Sequence, residues 1–120
     1  MGTTEIRKQL KEELTTLGKE ISNILSEQNI SSEQIRCVIA DIDRCYILLD
    51  RFEDVCKDLS YYFTLRKDLC RSLTPLIIAL EAFEAGAIDL PSLKSAAEKS
   101  NATASIERAI EKLEETLIDA

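Results

Sequence analysis

The sequence predicts an all-α fold: a helical bundle built on a long antiparallel helix hairpin, with two or three shorter C-terminal helices, in a single domain spanning residues 1–120. Three observations predict it. Only three Gly and two Pro interrupt a chain rich in Leu, Ala, Glu, Ile and Lys, and Gly and Pro are the main helix breakers. Apolar residues recur every three or four positions along most of the chain. No stretch alternates apolar and polar residues for long enough to make a strand.

The first helix is predicted over residues 4–28. Ile6, Leu10, Leu14, Leu17, Ile21 and Ile24 form a narrow apolar stripe, and Lys, Glu and Gln fill the other faces. Gly18 weakens it slightly. The segment QNISSEQ then stops one helix and starts the next. Ser31 and Gln34, three residues apart, fit a capping box, so the second helix begins near Ser32. A turn this short predicts an antiparallel pair.

From Ile35, apolar positions repeat in sevens. One row is Ile35, Ile42, Leu49, Cys56, Phe63 and Cys70; the other is Val38, Cys45, Phe52, Leu59, Arg66 and Leu73. Only Arg66 interrupts them, and a sustained period of 3.5 indicates knobs-into-holes packing. Unbroken from Ser32 to Leu73, this helix would be roughly 60 Å long, against roughly 37 Å for the first. Either it breaks near Ser60–Arg66, where SYYFT is poor in strong helix formers, or its far half is covered by the C-terminal helices or another subunit.

Thr74 and Pro75 read as a cap followed by a first helical residue, predicting a third helix from Pro75 to about Ala85, with Gly86 as its stop. Its sequence PLIIALEAF is apolar on nearly every face, which suits a core centre or an interface. Pro91 opens a short helix to about Lys99. SNATAS reads as a connector. The last helix is expected from about Thr103 to Ile118, with Ile106, Ile110, Leu113 and Leu117 on one face.

Net charge is −7, concentrated in residues 76–120, where 4 Lys/Arg stand against 9 Asp/Glu. Such a chain repels phosphate, so neither nucleic acid nor an anionic membrane is an expected partner. No signal peptide or membrane-length apolar run occurs, which predicts a cytoplasmic protein with reduced thiols. Histidine is absent, which removes the commonest general base and the commonest metal ligand. GxGxxG, GxxxxGK[ST] and CxxC are absent too. Cys45, Cys56 and Cys70 fall on the apolar rows, at least three turns apart, too far to share a zinc ion; Cys37 lies off the stripe. The expectation is therefore no catalytic residue, no metal and no cofactor.

Asp41, Asp43, Asp50, Glu53 and Asp54 are interleaved with Arg44, Arg51 and Lys57, which predicts a solvated, ion-paired face. Glu111, Glu115 and Asp119 line up with less compensation, a better candidate for a cation or a basic partner. The aromatics Tyr46, Tyr61, Tyr62 and Phe63 lack a basic setting, so core or interface burial is expected of them rather than base stacking.

Arg36-x-x-Ile39-x-x-Ile42-Asp43 followed by Ile47-Leu48-Leu49-x-Arg51 resembles the opening of the all-helical chorismate mutases. The resemblance implies a small enzyme binding a dianionic molecule between dimerised helices, with Arg36 and Arg51 as its clamps. The second Arg arrives about two residues early for that pattern, and the family's later Lys and Gln have no clear match.

The expected function is a non-catalytic protein–protein interaction module: an adaptor, a chaperone-like protein or a structural subunit acting through helix–helix association. The partner is a protein or a second copy, giving a homo-oligomer. The long seam and the all-round apolar helix make Leu59, Phe63, Cys70, Leu73, Leu76, Ile77, Leu80 and Phe83 the interface candidates. The alternatives are an acidic secretion-type chaperone or inhibitor of a basic partner, and the chorismate mutase-like enzyme.

Overall fold

In the computed structural model, which describes residues 3–115, the chain is all-helical among those residues: α1 (Thr3–Ser26), α2 (Ser32–Val55), α3 (Leu59–Glu84), α4 (Leu90–Ser100) and α5 (Ala102–Glu115). Helix α1 buries the predicted stripe from Ile6 to Ile24. The capping box is formed: Ser31 Oγ accepts from the Gln34 N–H at 3.1 Å, and Gln34 Oε1 accepts from the Ser31 N–H at 2.8 Å. The predicted Leu117 and Ile118 lie outside the described residues.

The long second helix does break, but earlier than SYYFT. Cys56 leaves α2 in an extended conformation, and Asp58 caps α3 by accepting from the Tyr61 N–H at 3.1 Å. A carboxylate cap satisfies donors at the new helix start that an unbroken helix would pair internally. The restart resets the phase of the stripe. Beyond it Tyr62, Leu65, Leu69, Leu73, Leu76 and Leu80 are buried, while Leu59 and Phe63 of the sevenfold rows stand about half exposed, at 50% and 53%.

Thr74–Pro75 does not start a helix; α3 runs straight through it. Pro75 withholds one hydrogen bond and crowds the preceding turn, at about 3 kcal/mol. Tyr62, Leu65 and Leu69 before it, and Leu76 and Leu80 after it, share one buried face. Each large side chain buried contributes roughly 1.5–3 kcal/mol, so burial along the continuous helix outweighs the proline. The predicted stop at Gly86 does form, as a Schellman turn: Gly86 has φ +78°, its N–H donates to the Phe83 carbonyl, and the Ala87 N–H donates to the Ala82 carbonyl.

Three long helices thus replace the predicted pair. Cross-links set their directions. Gln34 Nε2 donates to Glu27 across the α1–α2 turn, while Arg7 at the other end of α1 lies over the Phe52 ring. On α3, Arg66 reaches Asp50 and Glu84 reaches Arg36, so α2 and α3 are antiparallel. Arg108 reaches Asp68 and Tyr61 reaches the Lys112 carbonyl, so α3 and α5 are antiparallel as well. Helices α4 and α5 form one broken fourth arm. The predicted SNATAS connector shrinks to Asn101, which takes a left-handed conformation at φ 56° between them. Asp89 caps α4 by accepting from the Ser92 N–H.

Candidate functional site

The edge of α3 that faces α2 carries Phe63, Cys70 and Ile77 at intervals of seven, with Leu59 one turn before Phe63. On α2, Ile39 and Tyr46 are seven apart and point to the same side; the Tyr46 hydroxyl lies 3.4 Å from Thr74 Oγ1. Ile39, Tyr46, Cys70 and Ile77 are half-buried, whereas Phe63 and Leu59 are exposed. An apolar strip therefore runs along the outside of the α2–α3 pair. Exposed Asp43 and Asp54 lie on its α2 side, and exposed Lys67 and Arg71 on its α3 side.

Of the eight candidate interface residues, Leu59, Phe63, Cys70 and Ile77 lie on this strip. Leu73, Leu76 and Leu80 are filled by the chain's own core, and Phe83 packs half-buried against it. The phase reset at Asp58 is the reason: it turns Leu59 and Phe63 of the seam outward and brings Leu65, Leu69, Leu76 and Leu80 into the bundle beside Leu73. Ile78, 64% exposed, leaves the PLIIALEAF segment apolar on its outer side too.

Asp41 departs from the expected solvated face. It is buried at 6% exposure, turned toward α1, and accepts from Arg44 Nη1. Glu13 and Glu20 of α1 stand beside it. Glu13 Oε1 is 3.6 Å from Arg44 Nη1, an ion-pair distance beyond hydrogen-bond length, and Glu13 Oε1 and Glu20 Oε1 are both buried without a hydrogen-bond partner. The legible signal was that Glu13 and Glu20 are seven apart, each beside a stripe residue, and that Asp41 adjoins Ile42. Asp43, Asp50, Glu53 and Asp54 are exposed as expected, and Asp50 pairs with Arg66 at 2.8 Å.

A second polar constellation lies between α3 and the α4–α5 break. A groove of about 510 Å³ is lined by Arg71, Lys99, Arg108 and Asp68 among others. Arg108 donates to both Asp68 oxygens and to Ser105 Oγ, and the buried Ser72 and Ser105 hydroxyls bond each other. These bonds hold α5 against α3.

The four cysteines are free thiols: Cys45 buried, Cys56 and Cys70 half-buried, Cys37 exposed. Burial, helped by Glu13 and Asp41, pushes the Cys45 thiol up to about 12, so it packs as a neutral group. Among the described residues no group of three or more cysteines and carboxylates is placed to hold a metal ion, and no helix is long and apolar enough to cross a membrane. Arg36 pairs with Glu84 and stands roughly 22 Å along α2 from Arg51 at 1.5 Å per residue, so the two do not converge within one chain. In the acidic row, Glu111 is exposed; the Glu115 side chain and Asp119 lie outside the described residues.

Set against protein-family models, curated proteins and solved structures, the chain matches none of them.

Proposed function

We propose that this protein is a non-catalytic interaction module whose outer α2–α3 strip docks a helical surface, in the first place that of a second copy of itself. The observation that carries the reading is the strip: apolar side chains at intervals of seven on two neighbouring helices, left partly open to solvent. Sevenfold spacing suits knobs-into-holes contact with another helix pair. Charge supports self-association. A two-fold axis running along the strip sets the α2 side of one copy against the α3 side of the other, so Asp43 and Asp54 come to the side of Lys67 and Arg71. The same acidic α2 rim favours the alternative occupant, a basic amphipathic helix of another protein.

Light scattering across a dilution series from about 200 to 1 μM tests the reading, since association follows mass action. A dimer is expected that dissociates on dilution and is lost in Phe63→Asp, which replaces a residue that is 53% exposed in the single chain. A monomer at every concentration, or a dimer indifferent to Phe63→Asp, overturns self-docking on this strip.

A further inference from the structure

We infer that the Glu13–Glu20–Asp41 cluster is a proton-binding lock between α1 and α2, closed by a shared proton at neutral pH and opened as the pH rises above it. The inference concerns a different face from the docking strip and does not rest on it.

Three carboxyl groups converge, two from α1 and one from α2, and Arg44 is the cation that faces them. Arg44 is committed first to Asp41 and reaches Glu13 only at 3.6 Å. One oxygen of Glu13 and one of Glu20 are enclosed with no donor in reach. Leaving two ionised, enclosed carboxylate oxygens unpaired is costly, and like charges this close raise the cost. A proton on one of them lowers both penalties. Held on Glu20, it makes a hydroxyl donor that bonds the Asp41 carboxylate, tying α1 to α2. Burial first, then the hydrogen bond and charge of Asp41, push the Glu20 carboxyl up to about 8, and burial with Asp41 also raises Glu13.

The other groups around the cluster do not supply a counter-charge. From α2, Cys45 lies beside it as a neutral thiol, and Glu33 and Cys37 line the adjoining groove against Glu20. Among the other elements that reach α1, α4 sends Lys94 to the Glu27 carbonyl, and α5 sends Glu114 to Lys11. Above the range in which Glu20 holds its proton, three carboxylates confront one arginine, and the α1–α2 seam loosens.

Folded and unfolded forms then differ in proton binding between the ordinary glutamate range near 4.3 and about 8. The folded form holds more protons there, so stability falls as pH rises across that window. Thermal unfolding of the full chain and of Glu20→Gln from about pH 5.5 to 9 reads this directly. The amide is neutral, and its N–H can donate to Asp41 as the protonated acid does. The wild type is expected to lose about 4 °C or more of Tm over the range, and Glu20→Gln to lose at most half as much. Infrared spectra of the folded wild type need no variant: a protonated-carboxyl stretch is expected at pH about 7 and its loss by about 9.5. Equal Tm slopes in the two proteins, or no protonated carboxyl in the folded wild type at neutral pH, overturns the inference.

Discussion

The same substitution, glycine to alanine, is expected to have opposite signs at two positions of this bundle. Gly18 lies inside α1, where glycine costs about 0.8–1.0 kcal/mol relative to alanine. Whether that cost is recoverable depends on the space beside it. A Cβ at Gly18 would meet Ile106 Cγ2 of α5 at 3.5 Å, an ordinary van der Waals contact. It adds one carbon pair at about 0.1–0.2 kcal/mol. Gly18→Ala should therefore stabilise by about 1 kcal/mol, near 4 °C in Tm for a chain of this size. At Gly86 a Cβ meets nothing within 4 Å, but φ is +78°. Alanine there takes on the left-handed penalty of about 1–2 kcal/mol with no contact in return. Urea titration of the wild type and the two variants, with unchanged slopes, measures both. A destabilising Gly18→Ala would refute the 3.5 Å spacing between α5 and α1 at this position, because crowding by Ile106 would then exceed the propensity gain. A stabilising Gly86→Ala would refute the Schellman turn.

Other perturbations test the remaining contacts. Removing either hydroxyl of the buried Ser72–Ser105 pair breaks the bond between them, while Ser105 keeps its bond from Arg108 and Ser72 its bond to the Asp68 carbonyl, and should cost about 0.5–1.5 kcal/mol; Ser72→Ala with Ser105→Ala together should cost less than the sum, as a double-mutant cycle reads it. Hydrogen bonds from Arg108 hold the Asp68 carboxyl below its ordinary value, against the opposing effect of burial. The stability this provides is present above the unfolded value of about 3.9 and is lost as pH falls through the lower folded one. Arg108→Ala should therefore flatten the acid limb of the stability–pH curve below about pH 4, and an unchanged limb would remove the ion pair from the account of α3–α5 packing.

Much of the local structure was legible in the residues. The α1 stripe, the Ser31–Gln34 box and the Gly86 stop each depend on neighbours within one or two turns, so short-range spacing is enough to read them. The restart at Asp58 was present as a capping residue but was masked by the sevenfold rows, which continue through it. Pro75 was misread for the opposite reason: it is a strong local signal that burial on both sides overrides. The outer α2–α3 strip was half legible, because Phe63, Cys70 and Ile77 share a spacing with residues that the phase reset sends into the core. The carboxylate cluster was legible only as flanking positions of the apolar stripes, since Glu13 and Glu20 are distant in sequence from Asp41, and only the α1–α2 register brings them together.

By itself the sequence determined the fold class, the helical stripes and the chemistry that histidine would have allowed. Those follow from composition and periodicity, which act over a few residues. The tertiary structure alone decided where the long helix breaks, which half of the apolar rows faces solvent, and which carboxyl groups must share a space. Each of these depends on the burial of one helix against another, and that free energy has no counterpart in any single stretch of chain.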